Sequence, residues 1–446
     1  MTVVLAALGM VWGGLIAAPA QAYAASGPIV GASNGGGDGA ATTTRDHGRW
    51  VTAARSAEDR QLRRSLAGAM RSAGSSSGAY AYNATEGRPL FTSQADTRRI
   101  LASNTKVFTT SAVLARRGAG ARIETRVTGV GTLGARGRWQ GSLYLRGGGD
   151  PTFGSEAFAR RSYLASASVE ALAERLRRYG IRSVTGRVVG DESLFDSLRG
   201  GPGSGFRTSI YVGPLSGLAY DRGLANDRGT AFQSNPPLFA AAQLDRELEQ
   251  RGVRVQGSPT AGPSPEEARE LVAVRSPTVA RLVQIANTRS DNFFAEILLK
   301  GLGAFEVGRG TTAVGARRAE AFAREVGASA SLADGSGLSR RNVAAPRQVG
   351  RLLTGLRRRD EFPAFFDSLA IAGRTGTLVD RLRSGPARGR CRAKTGTLSD
   401  VSALSGYCTS LGGDTIVFSI LMNRVNVSGA RSLQDRMAQA MAAYRG

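Results

Sequence analysis

The chain has 446 residues, of which 41% are hydrophobic and 21% charged, and 59 lysines and arginines face 35 aspartates and glutamates, a net charge of +24. This length and composition are ordinary for a globular protein of two or three domains. The single histidine, His47, lies in a polar N-terminal stretch. A Ser-His-Asp triad or a histidine-based metal site would have to use it, so we expect neither.

The basic residues are almost all arginine, because only Lys106, Lys300 and Lys394 are lysines. A basic surface favours polyanions. The arginines are scattered and form no nucleic-acid motif, so we expect a solvated basic surface and no nucleic-acid partner, with anionic wall polymers as the candidate polyanion. Arginine stays protonated and cannot act as a base, so a position that needs a removable proton must keep lysine.

The N-terminal segment predicts export. Residues 2–18 are apolar, and small-residue cleavage sites follow at 20–22 and 22–24. This pattern predicts a signal peptide over 1–24 and a protein located in the periplasm or cell wall. No lysine or arginine precedes the apolar run, so a retained anchor is the alternative. Residues 25–56, rich in small and polar residues at their start, predict a flexible linker.

The elements that follow mix helical and strand periodicity. We predict a hairpin with its turn at Glu86-Gly87, a buried helix from Ser103 to Gly118, and alternating elements over 124–190. Further predicted elements are helices at 57–72, about 237–251, 277–302 and 431–444, and a buried strand near 415–422.

Two apolar regions are separated by a long interruption with Pro- and Gly-rich turns. This predicts an α+β chain with a discontinuous domain, 57–130 and 275–446, and an inserted part over 131–274.

The first chemical motif is Ser103-Asn-Thr-Lys106 at the start of the predicted buried helix. Residues three apart share a helix face, so Lys106 should lie beside the Ser103 hydroxyl. The helix N-terminus offers N–H groups to an oxyanion, and a buried lysine beside another cation can become a base. The motif predicts Ser103 as nucleophile and Lys106 as its base; a helix cap with an exposed lysine is the alternative.

The second motif, Ser290-Asp-Asn292, lies between two apolar helical segments and predicts a tight turn. We expect Ser290 to relay a proton between Lys106 and the leaving amine, and Asn292 to bind a substrate amide. Because serine, aspartate and asparagine are common turn residues, an ordinary turn is the alternative.

The third motif, Lys394-Thr-Gly-Thr397, lies on a predicted strand. Gly396 lacks a side chain, so a substrate backbone can lie against this strand. Lys394 with the hydroxyls of Thr395 and Thr397 suits a terminal carboxylate. The Thr397 N–H is expected to complete an oxyanion hole with that of Ser103.

A similar run, Arg374-Thr-Gly-Thr377, precedes the third motif by twenty residues. Its arginine is no obstacle to carboxylate binding. The strand context and the rarity of lysine nevertheless favour Lys394, so we interpret 374–377 as a turn.

The two cysteines, Cys391 and Cys408, flank a strand–turn–strand pattern. Two cysteines in an exported protein often form one disulfide, and antiparallel neighbours could bring them close enough. The pattern predicts a Cys391–Cys408 disulfide, with two buried thiols as the alternative.

Together and in this order, the motifs are those of penicillin-binding proteins and class A β-lactamases. The chain resembles the D-alanyl-D-alanine carboxypeptidase/endopeptidase family, the low-molecular-mass class C penicillin-binding proteins. The long gap between the first two motifs fits, since this family inserts extra domains there. Further runs similar to the family are Ala102–Thr110, Gly148–Thr152, Gly190–Asp196, Asp334–Arg340 and Ala393–Leu398.

The resemblance implies a penicillin-binding-protein/β-lactamase-like transpeptidase fold, with a five-stranded antiparallel sheet covered by helices, and large inserted domains. It implies an acyl-enzyme on Ser103, formed with D-Ala-D-Ala ends or cross-links of peptidoglycan stem peptides. It also implies that β-lactam antibiotics bind and that no cofactor is needed.

Three alternatives remain: a β-lactamase or esterase on the same fold, a weakly catalytic penicillin-binding scaffold of the cell wall, and a polyanion-binding surface protein. The preference between carboxypeptidase and endopeptidase activity is open. For Asp150, capping a turn is favoured over contacting an amino group of the substrate.

Overall fold

The computed structural model describes residues 41–163, 167–226 and 228–446, and of residues 41–54 and 56 only the backbone. The predicted signal peptide, 1–24, and residues 25–40 of the predicted linker lie outside the described residues. Residues Ala53–Gly446 form one compact unit.

Helices and strands are interspersed along the described residues. The helices are α1 Ala41–Ser72, α2 Thr105–Arg117, α3 Glu156–Tyr163, α4 Val169–Tyr179, α5 Pro236–Gln250, α6 Val279–Thr288, α7 Asn292–Val307, α8 Thr312–Glu325, α9 Pro346–Leu356, α10 Phe362–Ser368 and α11 Val427–Ala443. The strands are β1 Ser77–Asn83, β2 Arg88–Ser93, β3 Arg99–Ile100, β4 Arg122–Leu133, β5 Arg138–Arg146, β6 Ser183–Asp191, β7 Arg254–Ala261, β8 Arg269–Thr278, β9 Val343–Ala344, β10 Ala370–Ile371, β11 Cys391–Leu398, β12 Val401–Thr409 and β13 Thr415–Asn423.

The larger sheet has the strand order β10-β11-β12-β13-β1-β2, and its pairs are antiparallel. In the central strand β12 every residue except Thr409 is buried, because side chains on both faces are covered. The antiparallel sheet covered by helices that the resemblance implied is confirmed. It has a sixth strand, β10, which is only two residues long.

The two faces of this sheet contribute to different hydrophobic clusters. Tyr407 and Leu421 pack with apolar side chains of α2, α6, α7, α8 and α9. Leu404 and Phe418 lie three residues away in their strands, an odd spacing that places them on the opposite face, and they pack with those of α1 and α11. Ten of the thirteen α2 residues are buried, as its apolar sequence predicts.

A second sheet, with the order β7-β6-β5-β4-β8, is mixed: β5, β6 and β7 are parallel neighbours, and the other pairs are antiparallel. Helices α4 and α5 cover it, with Leu172, Leu176, Leu244 and Leu248 packed around Trp139. This sheet begins at Arg122 and ends at Thr278, on either side of the predicted insert 131–274. The division into domains itself stays a prediction.

The first helix begins earlier than the sequence predicted. Helix α1 starts at Ala41, so residues 41–56 of the predicted linker are helical. The glycine-rich composition that indicated a linker ends at Gly39, and the helix contains only Gly48 and Gly68. The segment 277–302 forms two helices, α6 and α7, divided at the second motif, in agreement with the turn predicted between two helical segments.

The predicted disulfide is present. Cys391 and Cys408 are directly opposite each other on β11 and β12, with a Cα–Cα distance of 4.0 Å, and they are bonded. The bond therefore closes the hairpin that carries the third motif.

Removing this disulfide should destabilise the protein. The double variant Cys391→Ala/Cys408→Ala should lose up to about 3 kcal/mol of unfolding free energy, since the bond joins residues 17 positions apart and closing a loop of about 15 residues in the unfolded chain contributes that much. Urea unfolding of parent and variant, each with and without reductant, measures this. Reductant should destabilise the parent and leave the variant unchanged; equal stability of all four samples would contradict the expectation.

Candidate active site

A cavity of about 910 Å³ opens where the three motifs meet. Of the eight predicted catalytic and substrate-binding residues, five line it: Ser103, Ser290, Asn292, Thr395 and Thr397. Lys106, Lys394 and Gly396 are buried and are not part of the cavity wall. The site thus presents hydroxyl and amide groups to a ligand and keeps its two lysines behind them.

Ser103 is in a 3-10 turn, Ala102–Asn104, that leads directly into α2. Ala102 has φ of 46°, a left-handed conformation that a residue with a side chain adopts only at a cost. The loop around Gly337 packs against this peptide so closely that a Cβ at Gly337 would lie 1.8 Å from the Ala102 carbonyl oxygen. The predicted nucleophile is therefore held by packing from outside its own helix.

Lys106 is buried, and its amine has three acceptors. Its Nζ lies 3.0 Å from Ser103 Oγ, 2.7 Å from Asn292 Oδ1 and 2.6 Å from the Ser336 carbonyl oxygen. Burial lowers the pKa of Lys106 to about 8, although carboxylates including Glu296 and Asp334 oppose the shift. Near neutral pH a usable fraction of this amine is unprotonated, next to the serine it would deprotonate.

The second motif is the tight turn between α6 and α7, as predicted. Ser290 has φ of 58°, and Asp291 caps α7 by accepting a hydrogen bond from the Phe294 N–H. Arg222, from the long segment after β6, donates to both Asp291 oxygens at 2.6 and 3.1 Å. Burial alone would raise the pKa of Asp291, but Arg222 and the Phe294 amide hold it below its usual value.

The third motif contacts the second through its lysine. Lys394 Nζ donates to Ser290 Oγ and to the Thr395 carbonyl oxygen, both at 2.8 Å. Burial, and to a lesser degree Lys106, lowers the pKa of Lys394 well below its usual value. The hydrogen bond of Ser290 is thus with Lys394, and the expected relay of a proton by Ser290 between Lys106 and the leaving amine stays a prediction.

The first motif packs against the third at Gly396. A Cβ there would lie 2.9 Å from the Leu101 carbonyl oxygen and 3.1 Å from Asn104 Nδ2, and this same Nδ2 donates to the Lys394 carbonyl oxygen. The space left by the missing side chain is therefore filled by the first motif. A contact between Gly396 and substrate stays a prediction.

The edge of β11 is open beside the motif. Strand β10 pairs only with Arg392 and Ala393, so the strand from Lys394 onward has no neighbour on that side among the described residues. An extended peptide can add to such an edge through main-chain hydrogen bonds.

The run 374–377 is not a strand: Arg374 and Thr375 form the turn interpreted from the sequence, and Gly376 and Thr377 begin a 3-10 helix, Gly376–Leu378. Its Thr377 also lines the cavity and accepts a hydrogen bond from Thr395 Oγ1 at 2.7 Å. The run therefore contributes a hydroxyl to the wall of the site.

Two buried carboxylates near Lys106 were missed from the sequence. Glu296 accepts hydrogen bonds from the N–H groups of Gly335 and Ser336, and Asp334 accepts those of Gly337 and Ser339. They fix the loop whose Ser336 carbonyl holds Lys106. Two signals were available: the run Asp334–Arg340, and the position of Glu296 one helical turn after Asn292.

Asp150 caps a turn, as favoured. Its Oδ1 accepts from the Thr152 N–H at 2.8 Å and from the Thr152 hydroxyl at 2.7 Å, and burial raises its pKa to about 6. Among the described residues no group of three or more histidine, cysteine, aspartate or glutamate side chains is arranged to hold a metal ion.

Comparisons with known proteins agree on one family. The chain matches the D-Ala-D-Ala carboxypeptidase 3 (S13) family over residues 60–234 and 224–444. It is 27% identical to a D-alanyl-D-alanine carboxypeptidase of Actinomadura (84% of this chain, 82% of the relative) and 30% identical to a carboxypeptidase of Mycobacterium tuberculosis (80% and 78%).

The fold is similar to that of penicillin-binding protein 4 of Haemophilus influenzae. The TM-score is 0.73 at 21% identity, covering 85% of this chain and 99% of that one. The same protein in complex with a β-lactam gives a TM-score of 0.68.

The pKa of Lys106 predicts a pH profile. If neutral Lys106 is the base, the second-order rate constant for acylation by a penicillin should rise about tenfold per pH unit below pH 8 and level off above it. Lys106→Arg should lower the rate at least about a hundredfold, because arginine keeps its proton. Stopped-flow acylation between about pH 5.5 and 9.5 measures both.

Lys300→Arg is the matched control, since Lys300 is a buried lysine that pairs with Asp196 and has no hydrogen bond to Ser103. It should keep the profile of the parent. A flat profile in the parent, or a Lys106→Arg variant as active as the control, would exclude Lys106 as the base.

Proposed function

Because the chain belongs to the D-Ala-D-Ala carboxypeptidase (S13) family, we propose that it forms its acyl-enzyme on Ser103. The protein is a serine-type peptidase, a D-Ala-D-Ala carboxypeptidase of the penicillin-binding kind. Its substrates are peptidoglycan peptides, and β-lactams are its inhibitors.

One observation carries the choice of nucleophile. Ser103 lines the cavity, and its Oγ is 3.0 Å from the Nζ of a buried lysine with a pKa lowered to about 8. Burial favours the neutral amine, and a neutral amine at hydrogen-bond distance can accept the serine proton. The chain thus has a nucleophile and base without a histidine.

Acylation would proceed as follows. Ser103 Oγ attacks the carbonyl carbon of the penultimate D-Ala while its proton passes to Lys106. The new C–O bond places negative charge on the carbonyl oxygen, which the N–H groups of Ser103 and Thr397 stabilise. The peptide C–N bond then breaks, and the acyl group stays on Ser103.

The leaving amine needs a proton. Ser290 donates it from its hydroxyl and regains one from Lys394, whose ammonium is 2.8 Å away. Asn292 holds a substrate amide. Water then attacks the acyl carbon and its proton passes through Ser290 to Lys394, while Ser103 takes back the proton held by Lys106 as the ester C–O bond breaks and the carboxylic acid product is released.

The alternatives are less well supported. The family and its curated carboxypeptidase relatives do not favour a β-lactamase or esterase. A weakly catalytic scaffold needs no proton path, whereas two buried lysines each contact a serine in this cavity.

We infer that the protein works outside the cytoplasm, where peptidoglycan is found. The Cys391–Cys408 disulfide supports this, because such bonds persist in oxidising compartments. None of the helices in the described ranges is long and apolar enough to span a membrane.

We further propose that anionic wall polymers bind the basic surface. A cavity of about 430 Å³ between the ends of α2 and α7 is lined by Arg117, Arg122, Arg126 and Arg146, with Glu124 as its carboxylate. The Arg117 guanidinium is 4.4 Å from the Phe305 ring and forms no ion pair with a described residue. It can therefore take an external anion.

The nucleophile is tested by intact mass after mixing with penicillin. The parent should gain one covalently bound penicillin, and Ser103→Ala should gain none because it lacks the attacking oxygen. Ser432→Ala, an exposed serine on α11, is the control and should behave like the parent. An adduct on folded Ser103→Ala would move the nucleophile elsewhere, and a parent without an adduct would oppose the proposed function.

The polymer proposal is tested with poly(glycerol phosphate). Binding should weaken as salt rises from roughly 0.05 to 0.2 M, since ion release drives it. Arg117→Gln/Arg122→Gln should bind several-fold more weakly than Arg177→Gln/Arg178→Gln, which removes equal charge from the end of α4, where both arginines pair with Glu174. Equal losses would indicate a diffuse charge effect.

A further inference from the structure

The structure leaves the substrate's terminal carboxylate without an obvious cation. Lys394, expected from the sequence to bind it, is buried and not part of the cavity wall. Its ammonium is already hydrogen-bonded to Ser290 and to the Thr395 carbonyl oxygen. A carboxylate bound from the cavity therefore needs a second positive group that the solvent can reach.

Arg431 occupies the place where such a group is needed. It is exposed, it lines the cavity, and its Nη2 donates to Thr397 Oγ1 at 3.1 Å. The residue lies early in α11, which packs against β11 and β12. A helix from the end of the chain thus brings a guanidinium to the hydroxyl of the third motif.

The alternation of β11 explains why this hydroxyl is available. Cys391 and Ala393 belong to the hydrophobic cluster that includes α11, and Thr395 and Thr397 follow on the same face of the strand. Lys394 and Gly396 point to the opposite face, toward Ser290 and Asn104. The two threonine hydroxyls and the arginine therefore meet on one side of the open strand edge.

Arg431 forms no salt bridge with a described carboxylate, although the charge of Asp435 attracts it, whereas its neighbour Arg381 is directly paired. Arg381 also lines the cavity, but its guanidinium is bound to Asp435 at 2.7 Å. Arg381 Nη2 lies 3.3 Å from the Arg431 carbonyl oxygen, so the two arginines are neighbours at this wall. No carboxylate of the described residues forms an ion pair with Arg431, whose acceptor is the neutral Thr397 hydroxyl.

We propose that Arg431 binds the terminal carboxylate of the substrate together with the Thr395 and Thr397 hydroxyls, and so makes the site select peptides with a free carboxylate next to the scissile bond over peptides in which that carboxylate is amidated. Guanidinium and carboxylate match in charge and in their paired donors and acceptors. The proposal rests on the proposed function, because it assigns the substrate of the same site.

One feature of the wall opposes a carboxylate. Asp380 lines the same cavity, is exposed, and has no hydrogen bond or ion pair with Arg431. Its charge would weaken the attraction without cancelling a direct hydrogen-bonded pair, since exposed charges are screened by water and salt. Asp380→Asn should therefore raise activity on free ends slightly or leave it unchanged.

The test compares two substrates that differ only at the end. The parent, Arg431→Gln and Arg431→Lys are assayed for release of the last residue from an N-acylated peptide ending in D-Ala-D-Ala, as free acid and as amide. Arg431→Gln should lower kcat/KM on the acid about ten- to a hundredfold, the usual worth of a charged hydrogen bond. It should change kcat/KM on the amide by no more than about twofold, and Arg431→Lys should recover part of the loss on the acid.

Arg340→Gln is the matched control. Arg340 is an exposed arginine near the same strand end, and it is paired with Asp400 and Ser399. This variant should keep the ratio of acid to amide activity of the parent. Equal losses on acid and amide in Arg431→Gln would show a structural role, and an unchanged ratio would overturn the proposal.

Acylation by penicillin provides a readout that does not need turnover. Penicillin carries a carboxylate that its methyl ester lacks, so the parent should react faster with the acid and Arg431→Gln should lose that difference. If the parent reacts with neither compound, the proposed function fails. If the parent reacts with both and Arg431→Gln keeps the same preference, only the role of Arg431 fails.

Discussion

The site depends on the burial of one amine. Lys106 is removed from water, which disfavours its charged form, yet its three hydrogen-bond positions are filled from three separate parts of the chain. Ser103 precedes it by one turn, Asn292 begins α7, and Ser336 lies in the loop held by Glu296. Removing any of these partners would leave a buried polar group unsatisfied. The packing of α2 against α7 therefore determines both the hydrogen bonds of the Lys106 amine and its protonation.

Contacts with the surrounding fold stabilise strained backbone conformations next to the proposed reacting groups. Ala102 and Ser290 both have positive φ. Ala102 immediately precedes Ser103, which lines the cavity, and Ser290 lines the cavity itself. Such conformations cost about 1–3 kcal/mol each and persist only where neighbours fix them. The neighbours here are the loop at Gly337, which admits no side chain, and Asp291, which caps α7 while bound to Arg222.

Local features were predictable from the sequence, and long-range partners were not. The helix starting near Ser103, the turn at Ser290, the strand of Lys394 and the Cys391–Cys408 pair follow from periodicity and turn chemistry, which act over a few residues. The bond between Lys394 and Ser290 joins residues more than a hundred positions apart, and nothing local encodes it. The start of α1 was missed because glycine-rich composition was extended past the last glycine of the run.

The positions of the lysines and of Arg431 in the structure suggest why this arginine-rich chain contains lysine at all. Arginine is the usual cation of this chain, and lysine survives at only three positions. Lys106 and Lys394 are both buried and both have lowered pKa values, as suits groups that must release and regain a proton. Arg431 lies in the open cavity, where a permanent positive charge suits the proposed binding of the substrate carboxylate and no proton transfer is needed. The proposed roles thus divide by residue type: the lysines buried behind the cavity wall transfer protons, and the arginine that lines the cavity binds the carboxylate.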